Sequence, residues 1–239
     1  MDHMWQGCGA FQIKRYFVVM DTNGKEAGMP VVALIPFKPV NPKTRLSCVL
    51  EPGERESFAR CMLADVIEAV SGAGCEPRII STEPYACRGA TVEVIPGGLN
   101  ETLNALLAQA GAPVLIIMAD IPLATPGAVS RLISTGRDMA IAPGRGGGTN
   151  AIYLSEGSSY RVDYYGASFL KHARIARERG LSCKVIDSFR LHTDVDEKED
   201  LVELLIHGRG RSREYLESLG FTISIEKGRV GVVRKGVHG

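Results

Sequence analysis

From residue 31 onward, short apolar runs alternate with segments whose apolar residues recur at helical spacing, and this alternation constrains the fold more than any other feature. The strand-like runs are at residues 31–35, 78–81, 92–95, 114–118, 139–142, 151–154 and 184–186. Alternation of this kind produces a sheet covered by helices on both faces. We therefore expect an α/β fold: a single-domain, Rossmann-like, mixed and mostly parallel sheet.

Helix signals fill the intervals between these runs. The first helix follows Pro52-Gly53 and ends at Gly72, and residues 126–134 open with a proline, which is common at the first helical position. Further helices are predicted at residues 99–110, 168–179 and 197–207. The chain from residue 211 to residue 239 is predicted to form a helix and a short hairpin, with strands at 222–225 and 230–233.

Composition limits the classes of partner. The 239 residues are 45% hydrophobic and 23% charged, which suits one globular core. The 28 Lys and Arg residues nearly balance the 27 Asp and Glu residues, so no overall field favours nucleic acid or a membrane surface. No apolar run approaches the ~20 residues that a spanning helix requires.

The six cysteines are scattered, without a C-x-x-C motif or histidines at zinc spacing, and no secretory leader is evident. This pattern favours reduced thiols in a cytoplasmic protein, with neither disulfide nor zinc.

Residues 1–29 fit poorly with the alternating pattern of the rest of the chain, and Met29 stands directly before the first convincing strand. We predict an N-terminal extension over residues 1–29 and one domain over residues 30–239. In the alternative, residues 17–20 and the Asn23-Gly24 turn form an extra strand. The long C-terminal segment is a candidate contact for a homodimer, since symmetric pairs are the commonest soluble oligomers.

The loop after the first strand carries three cations, Lys38, Lys43 and Arg45, among three prolines that fix φ and block helix. Carboxyl ends of parallel strands are where α/β sheets bind ligands, and lysine and arginine suit phosphate oxygens. The sequence therefore favours a phosphate-binding loop over an ordinary basic surface loop.

Three carboxylates are candidate metal ligands. Asp120 follows the most apolar strand, and Asp194 and Asp196 point the same way if their segment is extended. Magnesium prefers one or two carboxylates together with phosphate oxygens, so we predict a Mg²⁺ site. The alternative is helix capping: by Asp120 after its strand, or by Asp194 or Asp196 at a helix beginning near Glu197.

Two glycine-bearing turns are weaker signals. Residues 144–148 form a glycine-rich turn before Thr149 and Asn150, which can present N–H groups and polar side chains to an anion. Gly97 and Gly98 precede Asn100 at the start of a helix, whose N-terminus also favours anions. No P-loop motif is present.

Taken together, these motifs resemble the 2-phospho-L-lactate guanylyltransferases of the deazaflavin coenzyme F-420 pathway. The motifs, in order over residues 31–205, are Pro36-Phe37-Lys38-Pro39, Lys43-Thr44-Arg45-Leu46, Gly98-Leu99-Asn100, Ala119-Asp120-Ile121-Pro122, Gly148-Thr149-Asn150-Ala151, Ser168-Phe169 with His172, and Asp194-Val195-Asp196. That family is similar in fold to the nucleotide-diphospho-sugar transferases, and the absence of an L-x-G-G loop here favours the phospholactate branch.

The resemblance implies transfer of GMP from GTP to a small phosphorylated acid, with release of pyrophosphate. It implies that Asp120, Asp194 and Asp196 hold magnesium and that Lys38, Lys43 and Arg45 hold the triphosphate. The catalytic set would be Lys38, Lys43, Arg45 and Asp120.

By the same resemblance, the acceptor acid would contact Thr149, Asn150, Gly166 and Ser168, and guanine would be bound near Gly97, Gly98 and Asn100. His172 is expected to be structural or a phosphate contact.

The sequence departs from the family pattern at two places. The serine motif is one residue short after Gly166, and Ala119 and Ile121 replace the common glycine and leucine around Asp120. Two other functions stay open: a nucleotidyltransferase for another phosphorylated acceptor, such as a sugar phosphate, and a non-catalytic nucleotide-binding module.

Overall fold

The computed structural model describes residues 19–20, 26–27 and 29–235. Its centre is a seven-stranded sheet with the strand order β5-β4-β3-β6-β8-β7-β9. The strands are β1 Val19–Met20, β2 Glu26–Ala27, β3 Val32–Phe37, β4 Glu76–Ser81, β5 Thr91–Val94, β6 Val114–Ile117, β7 Met139–Pro143, β8 Thr149–Leu154, β9 Cys183–Val185, β10 Phe221–Glu226 and β11 Arg229–Arg234. The predicted mixed, mostly parallel sheet is confirmed, because only β8 runs antiparallel to its neighbours β6 and β7.

Seven α-helices are described in residues 29–235, and they cover both faces of the sheet. They are α1 Pro52–Gly72, α2 Leu99–Ala108, α3 Pro126–Ile133, α4 Ser168–Glu178, α5 Phe189–His192, α6 Asp200–His207 and α7 Arg211–Ser218. The short α5 was not predicted. Helix α6 begins at Asp200 instead of residue 197, because the N–H groups of Asp196 and Glu197 donate to the Asp200 side chain and hold the preceding residues outside the helix.

Alternation along β3 divides the core into two layers. Ala33, Ile35 and Phe37 face the cluster that includes residues of α1, α3, α6 and α7, whereas Val32 and Leu34 face the cluster that includes residues of α2 and α4. Successive strand side chains point to opposite faces, so a continuous apolar run is the pattern required of a strand buried on both sides.

Both chain ends add small antiparallel pairs outside the main sheet. Val19–Met20 pairs with Glu26–Ala27, and β10 pairs with β11 as the predicted C-terminal hairpin. The predicted boundary at residue 29 stays a prediction, since most of residues 1–28 lie outside the described part. Among the described helices, none combines the length and apolarity needed to cross a membrane.

Candidate active site

The predicted site residues gather at the carboxyl edge of the sheet. Strands β3, β6 and β7 end there, and the antiparallel β8 begins there at Thr149. Two backbone hydrogen bonds join the segments: the Met118 N–H donates to the Asn150 carbonyl, and the Val195 N–H donates to the Asp120 carbonyl, both at 2.9 Å. A single reversed strand thus brings the loop before β8 to the ligand-binding edge.

The basic loop after β3 is fixed by a buried cation that the sequence reasoning missed. Arg55 of α1 is 7% exposed, and its guanidinium donates to the carbonyls of Pro42 and Leu50, at 3.4 and 3.1 Å, and to Asn41 Oδ1 at 3.2 Å. The loop backbone is left-handed at Asn41 and Lys43, with φ of 46° and 51°. Such a conformation is uncommon for residues with a side chain, so the surrounding contacts have to maintain it.

Lys43 lies between two of the predicted metal ligands. Its Nζ donates to Asp120 Oδ2 at 2.8 Å and to Asp196 Oδ1 at 2.5 Å, and its side chain is only 10% exposed. Burial is the largest influence on the pKa of Lys43 and lowers it, but the attraction of the two carboxylates outweighs burial and leaves the pKa above its ordinary value of 10.5. Lys43 therefore carries a full charge at neutral pH.

Asp194 is directed elsewhere. Its Oδ1 accepts the backbone N–H of Arg145 at 3.3 Å and the amide N–H of Asn150 at 3.4 Å. Within the described residues, no three or more His, Cys, Asp or Glu side chains are grouped as a metal site. Asp120 and Asp196 thus form a two-carboxylate cluster around Lys43, separate from the contacts of Asp194.

The helix-capping alternatives are wrong for all three aspartates. Thr125 caps α3, and the cap residue of α6 is Glu199, which makes no side-chain cap hydrogen bond. At α6 a residue of the helix instead binds the segment before it: Asp200 Oδ2 accepts the N–H groups of Asp196 and Glu197 at 2.9 and 2.8 Å.

Asp200 also links this turn to the glycine-rich loop. It is 7% exposed and pairs with the Arg145 guanidinium through its second carboxylate oxygen. Neither side chain was predicted to take part in the site: an aspartate near a helix start is typical of an acidic first turn, and the glycine-rich turn was expected to act through its N–H groups.

The two remaining loop cations are exposed. Lys38 is exposed to solvent, and Arg45, 68% exposed at its side chain, lies 3.5 Å from Glu197. The loop borders a cleft of about 370 Å³ whose walls also include Met118, Asp120 and Asp196. Both cations are on the loop that lines this cleft.

On the side predicted to bind the acceptor, Thr149, Ser168 and His172 form one buried network, with exposures of 4%, 1% and 0%. Thr149 Oγ1 lies 3.0 Å from His172 Nδ1 and 3.1 Å from Ser168 Oγ. His172 Nε2 accepts the N–H of Asp163 at 2.9 Å. Burial lowers the pKa of His172 to about 4, so the ring is neutral at pH 7.

Asn150 and Gly166 hold loops near this network. The Asn150 amide donates to the carbonyls of Leu191 and His192 at 3.0 and 3.1 Å. Gly166 has a φ of 70°, which favours glycine, and its carbonyl accepts the Ser168 N–H at 2.8 Å. The short spacing between Gly166 and Ser168 thus forms a tight turn into α4.

At the start of α2, Asn100 joins the predicted nucleotide side to the predicted acceptor side. Its Oδ1 accepts the N–H of Tyr164 at 2.8 Å, and its amide lies 3.4 Å from the Asp163 carboxylate. Gly97 and Gly98 are exposed, and Gly98 occupies the cap position of α2 without a side chain to compete for the free N–H groups.

The sheet order and the loops at its carboxyl edge define a nucleotide-diphospho-sugar transferase-like fold. Solved structures agree: a provisionally named nucleotide-diphospho-sugar transferase from Desulfovibrio desulfuricans G20 has a TM-score of 0.65 at 18% identity, covering 79% of this chain and 94% of that one. A nucleotidyl transferase from Methanothermobacter thermautotroptrophicus has a TM-score of 0.56 at 14% identity, covering 80% and 100%. At these identities the likeness shows the fold alone.

Sequence comparison shows the family. The model described as "Guanylyl transferase CofC like" matches residues 31–235, and the chain belongs to this family. Two relatives named 2-phospho-L-lactate guanylyltransferase are similar: that of Methanoregula boonei at 60% identity, covering 84% of this chain and 94% of the relative, and that of Methanoculleus marisnigri at 61%, covering 84% and 95%.

Proposed function

We propose that this protein is a guanylyltransferase that moves GMP from GTP to the phosphate of 2-phospho-L-lactate, or of phosphoenolpyruvate, in coenzyme F-420 biosynthesis. Membership of the CofC-like family and the names of relatives at about 60% identity support this activity. The structural observation that carries the proposal is that Asp120 and Asp196, from two separate segments, both contact the ammonium group of Lys43 in the basic loop.

The residues present fit a magnesium ion. Two carboxylates that approach one ammonium group within 2.8 Å already form a cation site, and magnesium needs few protein ligands when phosphate oxygens supply the rest. We assign the metal to Asp120 and Asp196, and we give Asp194 the role of holding the glycine-rich loop. Asp120 and Asp196 would hold the ion beside the triphosphate, where it would supply neutralisation of the charge that develops on the phosphate oxygens.

The cations of the basic loop bind the triphosphate. Lys43 exchanges its carboxylate partners for phosphate oxygens, while the exposed Lys38 and Arg45 contact the phosphates that leave as pyrophosphate. Arg55 keeps the loop backbone in place before the nucleotide arrives, which lowers the ordering cost of binding. The exposed backbone at Gly97 and Gly98 lies at the N-terminus of α2 and is assigned to the nucleotide.

The transfer itself requires no general base. A phosphate oxygen of the acceptor attacks the α-phosphorus of GTP and forms the new P–O bond. The bond from the α-phosphorus to the oxygen that bridges to the β-phosphorus breaks, and pyrophosphate leaves with the electron pair. Because the acceptor phosphate is already anionic at neutral pH, in-line positioning and charge neutralisation carry the catalysis.

Pyrophosphate release tests the proposal directly. The purified protein is assayed with Mg²⁺ and GTP, and with 2-phospho-L-lactate, phosphoenolpyruvate, a sugar phosphate or no acceptor, while ATP, CTP and UTP serve as nucleotide controls. Release that requires GTP and a phospho-acid is the expected result. Release only with the sugar phosphate, or GTP binding without any release, would overturn it. Sedimentation of the same preparation tests the predicted homodimer.

A further inference from the structure

The turn that carries Asp196 is held by its backbone N–H groups. The Val195 N–H donates to the Asp120 carbonyl at 2.9 Å. The next two N–H groups, those of Asp196 and Glu197, donate to Asp200 Oδ2 at 2.9 and 2.8 Å. The backbone on both sides of the Asp196 Cα is therefore fixed, while the Asp196 carboxylate contacts the basic loop.

Asp200 is the first residue of α6, but its carboxylate serves the segment before the helix. A capping residue accepts N–H groups of the first helical turn, whereas the two N–H groups bound by Asp200 belong to residues four and three positions earlier. The residue is 7% exposed, so water competes little for these bonds. The carboxylate of Asp200 thus acts on the turn and not on its own helix.

The second oxygen of Asp200 pairs with the guanidinium of Arg145, which carries the only long side chain in the glycine-rich loop. The backbone N–H of Arg145 also donates to Asp194 Oδ1 at 3.3 Å, so two contacts join this loop to the turn. The Asp200 side chain is only 10% exposed, and a carboxylate so far from water needs a partner for its charge. Arg145 therefore holds Asp200 in the orientation that binds the turn.

We propose that Asp200 is a positioning residue for the metal site: it fixes the turn that presents Asp196, and Arg145 keeps its carboxylate in place. The proposal rests on the proposed function for the assignment of magnesium to Asp120 and Asp196. Magnesium demands near-ideal geometry from its ligands, so the position of a ligating carboxylate affects affinity strongly. Groups that orient a metal ligand without touching the ion are typically worth about 10- to 100-fold in metal affinity or activity.

Substitutions at Asp200 and Arg145 separate the two contacts. D200A removes both the acceptor for the turn and the partner of Arg145. D200N retains an oxygen for the N–H groups but loses the ion pair, and R145M loses the same ion pair from the other side. We expect Mn²⁺ binding without nucleotide, measured by EPR, to weaken roughly 30-fold in D200A. In D200N and in R145M it should weaken roughly 3-fold, the worth of a partly open ion pair.

Two further variants complete the set. The double variant D200N/R145M should bind Mn²⁺ no more weakly than either single variant, because both single variants break the same pair. E203Q is the matched control: Glu203 is another carboxylate in the first turn of α6, and its contact with His207 is exposed. E203Q should bind Mn²⁺ as wild type does.

Excess metal supplies a readout that a role in folding alone would not move. Turnover of D200A should approach that of wild type as the Mg²⁺ concentration is raised, since a high concentration compensates for weak binding. Wild-type Mn²⁺ affinity in D200A, or in both D200N and R145M, would overturn the proposal, and so would D200A turnover that excess Mg²⁺ does not recover. Additive losses in D200N/R145M would overturn the role of Arg145.

Failure of the proposed function is distinguishable from failure of this proposal. If the wild type turns over no phospho-acid, the proposed function fails, while the Mn²⁺ affinities of wild type and D200A still decide whether Asp200 positions the site. If the wild type binds no Mn²⁺, the metal assignment and the positioning role are both overturned.

Discussion

The two sides of the candidate site differ in the chemistry of their side chains. On the side assigned to the metal, Lys43, Asp120 and Asp196 form ion pairs and are partly open, with side-chain exposures of 10%, 29% and 37%. On the side predicted to bind the acceptor, Thr149, Ser168 and His172 are neutral and at most 4% exposed. Charges keep some contact with water because full burial is expensive, whereas hydrogen-bonded neutral groups can be buried.

The difference indicates how each side works. The ion pairs can exchange partners when a metal and a polyphosphate arrive, since each charge gains another opposite charge. The neutral network has no such exchange available, because its contacts are hydrogen bonds between neutral groups. Variants or conditions that disturb one side and leave the other intact can therefore test the contrast.

The largest effect is expected for D196N. This substitution removes one of the two negative charges assigned to magnesium, and metal stabilisation of phosphoryl transfer is worth several kcal/mol, so guanylyl transfer should fall about 1,000-fold. E197Q, at the adjacent residue, is the matched control, because the only contact of the Glu197 side chain in the described residues is an exposed one with Arg45. Full turnover by both D196N and D120N would remove the metal assignment.

Acid should lower the free energy of unfolding through the buried, neutral His172. The pKa of His172 is about 4 in the folded protein against an ordinary 6.5, so between these values the unfolded chain binds the extra proton and stability falls as pH falls. A pKa difference of about 2.5 corresponds to roughly 3 kcal/mol. Urea unfolding of wild type and H172N from pH 7 to pH 4 should show this loss in wild type alone. Parallel curves would contradict it.

R55M should weaken the support of the metal side. It removes three hydrogen bonds from a buried cation and leaves the carbonyls of Pro42 and Leu50 without this donor, so the free energy of unfolding should drop by about 2 kcal/mol. The KM for GTP should rise, because the basic loop is no longer ordered. R131M, at an exposed position of α3, is the control and should change little. An unchanged KM for GTP in R55M would show that the order of the basic loop does not affect nucleotide binding.

K43M tests whether Lys43 stands in for the metal. Without the ammonium group, Asp120 and Asp196 repel each other, and a divalent cation relieves that repulsion. Mn²⁺ binding without nucleotide, measured by EPR, should therefore become roughly 10-fold tighter than in wild type, about 1.4 kcal/mol. K43R retains the charge and should bind as wild type does. Equal Mn²⁺ affinity in K43M and wild type would mean that Lys43 does not compete for the site.

The smallest effect is expected for R45A on stability. The Arg45–Glu197 pair is 3.5 Å apart with side chains 68% and 58% exposed, and such pairs contribute less than about 1 kcal/mol. The midpoint of urea unfolding should hardly change, whereas the KM for GTP should rise if Arg45 contacts phosphate. A loss of stability above about 1 kcal/mol would show a structural role instead.

Most of the fold could be predicted because its signals are local. The run at residues 114–118 predicted β6, and the proline at the start of α3 marked the helix beginning at Pro126. The short α5 and the start of α6 could not be predicted, since their limits depend on contacts such as that of Asp200 with the N–H groups of Asp196 and Glu197.

The sequence predicted that the candidate residues lie at one edge of the sheet, but it did not predict how they pair with one another. Spacing placed Asp194 and Asp196 on one face, yet Asp194 accepts hydrogen bonds from Arg145 and Asn150 while Asp196 meets Lys43. Arg55 gave no signal, because a lone arginine in a helical pattern looks like a solvent-facing residue.

The sequence by itself determined which segments become strands and helices and which residue types reach the carboxyl edge of the sheet. The spacing of apolar residues, the turn residues and the strand ends are all local properties of the chain. Only the tertiary structure decided that Lys43 joins Asp120, 77 positions away, to Asp196, 153 positions away, and that His172 Nδ1 lies 3.0 Å from Thr149 Oγ1. Such contacts depend on strand order and burial, which arise only when distant segments pack together.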